Sequence, residues 1–177
     1  MPEIDMMDLR ILALLQKDGR ISNVDLADQV ALSPSPCLRR VKRLENEGVV
    51  LGYRAILARE AVGLGLTVFA AIKVARHSRE AAAALQEALA ALPEVVSCHM
   101  VSGEADFLAE IVVPDLVAYE RLLTDRLLTL PMISDIRSNF SLRRVKSEAP
   151  LPIRAAASLG PQTKPAGEDP GQLRDQQ

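Results

Sequence analysis

The chain has 177 residues, 49% of them hydrophobic and 25% charged, with a formal net charge of −2. That apolar content is enough for one large packed domain or two small ones, and the near-neutral balance excludes a uniformly basic nucleic-acid binder without excluding a local basic patch. The two cysteines, Cys37 and Cys98, lack disulfide-framework numbers and metal-ligand spacing, so both are expected to be reduced thiols and no metal site is expected.

Aromatic residues make up 3% and Trp is absent, so the core must be aliphatic. The first residues, Met-Pro-Glu-Ile-Asp, lack a basic stretch followed by an apolar run, so no signal peptide is expected. The longest apolar stretch, 61–74, is broken by Gly63, Gly65, Thr67 and Lys73. No membrane association is expected, and the expected location is the cytoplasm.

Residues 4–16 have helical periodicity, with Ile4, Met7, Ile11, Leu14 and Leu15 on one face. Asp5 is the expected N-cap, Asp8 suits the positive end of the helix dipole, and Gly19 is the expected stop. A second short helix opens at Ser22 or Asn23, with Val24, Leu26, Ala27 and Val30 as its apolar side. After a tight turn at 31–33, Ser33 caps a third helix that has Pro34 at its first position and Pro36 still in its first turn. Leu38, Val41 and Leu44 are assigned inward, and Gly48 suits a left-handed C-terminal cap. Segments 49–51 and 53–57, separated by Gly52, read as a small β-hairpin. Three helices and a hairpin describe a winged helix-turn-helix over residues 1–58.

A linker over 59–65 follows, and then strand, helix, strand, strand, helix, strand over 66–146. The expected elements are strands at 66–74, 95–101 and 107–113, helices at 80–92 and 115–130, and a last strand within 132–145. This order is the ferredoxin-like βαββαβ arrangement. The fold class is therefore α+β. Prolines at 150, 152, 161, 165 and 170 interrupt an aperiodic remainder, so 147–177 is expected to be a disordered tail.

The third helix carries the strongest functional signal. Arg39, Arg40, Lys42 and Arg43 lie within five positions, and Ser33 and Ser35 stand at its beginning. Arginine forks onto guanine or phosphate, and a helix N-terminus donates to phosphate. Taken alone, such a run is most simply a solvated helix face. A short helix, a tight turn and a capped second helix arranged around it favour a DNA-reading helix. Residues 1–60 carry nine basic and nine acidic residues, so the positive charge is local.

The runs 5–23 and 32–41, with Ser-Pro-Ser-Pro-Cys at 33–37, resemble the DNA-binding domain of the leucine-responsive regulatory protein/AsnC (feast/famine) family of transcriptional regulators. The resemblance continues through 97–107 and covers roughly 3–146. It implies that Asn23, Ser33, Ser35, Pro36, Arg39, Arg40 and Arg43 face double-stranded DNA. It also implies that 66–145 senses an amino acid and assembles the protein, as a homodimer and a higher homo-oligomer such as an octamer. In the family, sheets of two chains pack face to face and the effector sits between dimers. The turn 102–106 is the implied effector site, with Gly103 giving close backbone approach and Asp106 accepting from an ammonium group. Glu104 replaces the Asp common in the family, and Ser138 on the last strand is the further candidate. Without the resemblance, this segment reads as a plain β-turn.

Other readings are weaker. No phosphate loop, nucleophile elbow, HExxH or paired His/Cys cluster is present, so neither an enzyme nor a cofactor beyond the amino-acid effector is expected. A ligand-sensing assembly module whose helices do not bind DNA is the alternative. His99 reads as an ordinary strand position and His77 as a turn residue without a partner. Cys37 reads as a packed thiol, with a redox switch left open.

Overall fold

The computed structural model describes residues 3–75, 79–146 and 149–153. They form two compact units, 3–54 with 149–153, and 55–146.

The N-terminal unit contains α1 (Met6–Leu15), α2 (Asn23–Gln29) and α3 (Pro34–Asn46). Asp5 and Asp8 form a reciprocal cap on α1: Asp8 N donates to Asp5 Oδ1 at 2.8 Å, and Asp5 N donates to Asp8 Oδ2 at 3.0 Å. Helix α1 ends at Leu15, ahead of Gly19. Gly19 serves instead to admit the Tyr53 ring, since a Cβ there would lie 3.1 Å from it. Ser22, not Asn23, caps α2 by accepting from Asp25 N.

The turn into α3 is closed by Ala31 N donating to Asp28 O and Leu32 N to Ala27 O. It holds Ala31 at φ +57°, a left-handed position usually filled by glycine. Gly48, at φ +69°, ends α3 in the same manner, with Val49 N donating to Leu44 O.

The inner stripe of α3 differs from the expected one. Cys37 and Leu44 are fully buried and Val41 packs beside them, whereas Leu38 is 41% exposed. The spacing 37, 41, 44 keeps one helix face, while 38, 41, 44 drifts by about 60° at each step of three residues. Val24 is likewise solvent-facing at 63%, so α2 buries only Leu26 and Ala27, with Val30 just beyond it. The expected hairpin does not form: segment 51–58 has no strand partner, and Leu51 is 96% exposed. One short hairpin with no further strand to pack against is marginal.

Residues 149–153, assigned to the tail, lie against the N-terminal unit. Leu151 N donates to Gln16 Oε1 at 2.6 Å, and Ile153 packs on the helical core. Positions 154–177, like 147–148 and His77, lie outside the described residues.

The C-terminal unit has β1 (Leu66–Val74), α4 (Arg79–Ala90), β2 (Val95–Met100), β3 (Phe107–Val113), α5 (Leu116–Leu122) and β4 (Ile133–Phe140). The strand order is β2-β3-β1-β4, and every neighbouring pair is antiparallel. This is the ferredoxin-like topology expected from the element order. The alternation of β1 puts Val68, Ala70 and Ile72 under the helices, with Phe107, Ala109 and Ile111 beside them from β3. Leu85 and Leu89 of α4 cover them, each contributing about 2 kcal/mol by its burial.

Helix α5 is shorter than expected. It widens into a π turn over Leu123–Leu127, where Leu128 N donates to Leu123 O and the Thr124 hydroxyl bonds back to Glu120 O. Among the described residues, no helix is long and apolar enough to cross a membrane.

Candidate DNA-recognition and effector sites

The arginines of α3 divide into two sets. Asp8 is fully buried, and a buried carboxylate requires partners. Arg40 Nη1 lies 2.9 Å from Asp8 Oδ1 and 2.7 Å from Asp5 Oδ2. Arg43 Nη2 lies 2.5 Å from Asp8 Oδ2, and its Nη1 donates to Glu3 O. The Asp8 N–H bond and then the Arg40 guanidinium hold the Asp5 carboxyl below its ordinary range. Arg40 and Arg43, expected to face outward, thus tie α3 to the start of α1.

The outer face of α3 carries Ser35, Leu38, Arg39, Lys42 and Asn46, which line one concavity. Arg43 and Glu47 line it as well. Among the described residues, Arg39 and Lys42 make no ion pair. Ser33 holds the N-cap position of α3, but its hydroxyl makes no cap bond. Pro36 is half-buried in the first turn. Asn23 Nδ2 donates to Pro34 O at 2.9 Å, which fixes α2 against the beginning of α3. Asn23 Oδ1 is buried without a partner among the described residues. Cys37 is buried, and that burial pushes its thiol up, the reverse of an activated thiolate.

In the C-terminal unit, Gly103 adopts φ +125° in the β2–β3 turn. Glu104 Oε2 lies 2.6 Å from Arg137 Nη1, and both side chains are largely exposed. They share a cavity of about 40 Å³ with Ala71, Lys73, Ala105 and Asp135. Asp106 instead braces the backbone: its Oδ2 accepts from Val74 N at 2.8 Å, at the end of β1 where pairing with β3 gives out. Ser138 pairs in register with buried Ala70 and meets the Tyr119 hydroxyl, so it belongs to the helix-covered side. Its neighbour Arg137, which the sequence reading passed over, is the residue beside Glu104. The structure therefore brings Glu104 together with Arg137, not with Asp106 and Ser138. His99 is exposed on the edge strand, and its ring contacts Ser97 Oγ.

A family model for the Lrp/AsnC ligand binding domain matches residues 67–151, and one for a winged helix-turn-helix DNA-binding domain matches 4–50. The leucine-responsive regulatory protein of Escherichia coli (strain K12) is 42% identical over 152 residues, spanning 86% of this chain and 93% of that protein. The chain belongs to the Lrp/AsnC family.

The Haemophilus influenzae leucine-responsive regulatory protein is 43% identical over 143 residues, covering 81% of this chain and 86% of that one. A transcriptional regulator from Neisseria meningitidis, solved as an L-Met complex, superposes with a TM-score of 0.80 at 39% identity, covering 85% of this chain and 97% of that chain. This Lrp/AsnC chain is accordingly a DNA-binding transcriptional regulator that responds to a ligand.

Strand parity was a signal in the sequence for one missed residue of this regulator. Ile136, Ser138 and Phe140 alternate as an inward-facing set, which leaves Arg137 on the open side. The role of Asp5 and Asp8 had no comparable signal, because their arginine partners lie more than thirty positions away.

Proposed function

We propose that this regulator binds a free amino acid at the Glu104–Arg137 cavity and couples that binding to its affinity for duplex DNA. The observation that carries this is the charge content of one small concavity. Lys73 and Arg137 supply cations, and Glu104 and Asp135 supply carboxylates. A zwitterion needs both: a guanidinium forks onto an α-carboxylate, and a carboxylate accepts from an α-ammonium. The cavity is too small for a whole amino acid, so a second copy completes the site in this reading. The open side of the sheet supports assembly, because Phe69 and Leu108 are each more than a third exposed on adjacent strands. In this proposal sheets pair into a dimer, dimers join further, and the protein acts by binding in the compartment that holds its DNA. The relative solved with L-Met supports an amino-acid effector.

On the DNA side we assign groove contacts to Ser35 and Arg39, joined by Lys42, and phosphate contact to Ser33 at the start of α3. Asn23, Pro36, Arg40 and Arg43 hold the helix in place. Gel-shift titration against upstream DNA, with and without a panel of amino acids, tests both halves. The expected result is a salt-sensitive shift that one amino acid modulates in the wild type and not in Arg137→Ala. A shift that no amino acid alters would remove the effector reading and keep the DNA contacts.

A further inference from the structure

Leu38 is out of place in its surroundings. The inner stripe of α3 is Cys37, Val41 and Leu44, so Leu38 points about 100° away from Cys37 around the helix. It is 41% exposed and shares one concavity with Ser35, Arg39, Lys42, Arg43, Asn46 and Glu47. A single exposed leucine is unremarkable on an ordinary protein surface. Here, at about 100° per residue, it sits at the edge of the polar and basic stripe that the DNA-binding reading presents to the duplex, with Lys42 about 40° away and Ser35, Asn46 and Arg39 beyond it, out to about 100°. Lys42 lies one turn on and about 40° round the helix, so anchoring Lys42 and Arg39 on DNA brings the isobutyl group to the groove on the flank beside Lys42. The thymine C5-methyl is the apolar group that the major groove offers at a base edge.

We infer that Leu38 is a specificity-determining residue that packs on a thymine methyl in each half-site. Ser35, Arg39 and Lys42 supply hydrogen bonds and charge, which fix register and read polar edges. Leu38 adds discrimination that a purely polar helix lacks. The inference rests on α3 lying in the major groove.

The test is a mutant cycle on duplexes selected by the full-length protein from a random pool. Each thymine of the half-site is replaced in turn by deoxyuridine, which removes only the methyl group. For the wild type, one such replacement per half-site is expected to weaken binding roughly fourfold, the value of one buried methyl-sized group. Leu38→Ala is expected to bind the thymine duplex more weakly and to ignore the same replacement. Leu38→Met, which keeps apolar reach, is expected to retain the sensitivity. The exposure of Leu38 implies unchanged thermal melts for both variants; Leu38→Gln replaces the alanine variant if that one melts early. If no thymine couples to Leu38 while Arg39→Ala still loses affinity, the helix placement stands and the Leu38 inference falls. If Arg39→Ala binds as the wild type does, α3 is not in the groove and both fall.

Discussion

Two acid–arginine clusters, one in each unit, use the same chemistry for different ends. In the N-terminal unit Asp8 is fully buried under Arg40 and Arg43 and accepts from Asp5 N as well. In the C-terminal unit Glu104 meets Arg137 at a comparable distance, but the side chains are 80% and 60% exposed. Burial decides what each pair can do. A desolvated carboxylate with its acceptor sites filled has no cheap alternative partner, so it fixes α3 on α1. An exposed pair contributes about 0–1 kcal/mol. Two arginines read as DNA contacts are thereby held on Asp8, while the exposed pair has little structural value.

The largest effect expected from breaking this contrast is at Asp8. Asp8→Asn removes the charge facing two guanidiniums, and about 3 kcal/mol of stability is expected to go with it, checked by urea unfolding followed by circular dichroism. The arginine side chains are 33% and 35% exposed, so the loss should sit near the low end for a broken buried pair.

Next in size is the split within α3 itself. Arg39→Ala is expected to weaken DNA binding about tenfold and to lower the slope of log affinity against log salt by about one, with an unchanged melting temperature. Arg40→Ala should lower the melting temperature and leave that slope alone. Equal slopes for the two variants would dissolve the distinction between outer and inner arginines.

Acid sharpens the comparison further. The Asp5 carboxyl is depressed below its ordinary value by the Asp8 N–H and Arg40. A depressed carboxyl contributes stability that is present above its unfolded pKa and is lost as pH falls through its lower folded value. Urea midpoints of the wild type should therefore drop on acidification below about pH 4. Those of Asp5→Asn should start lower and drop less.

The smallest expected effect is at the exposed pair. Glu104→Gln should change stability by less than about 0.5 kcal/mol in thermal melts. Its influence should appear in the amino-acid dependence of the gel shift. A large loss of stability there would make the pair structural and the effector proposal untenable.

The sequence by itself determined the order of the helices and of the four strands in the C-terminal unit, most strand bounds there, the caps at Asp5 and Gly48, and the family. Each of these rests on periodicity or on interactions within a few positions of the chain. Strands β1 and β3 were legible to the residue because turn residues bound each apolar run: Gly65 before β1, the turn 102–105 before β3 and Pro114 after it. Only the tertiary structure decided which charges were available. Arg39 and Arg40 are neighbours in the chain, yet 100° of helix rotation sends one toward solvent and the other onto Asp5 and Asp8. The same rotation moved Leu38 out of the core and Cys37 into it, and strand parity put Arg137 rather than Ser138 beside Glu104. A helix or strand can be read from its own residues, but the partner of a charge depends on which distant segment packs against it.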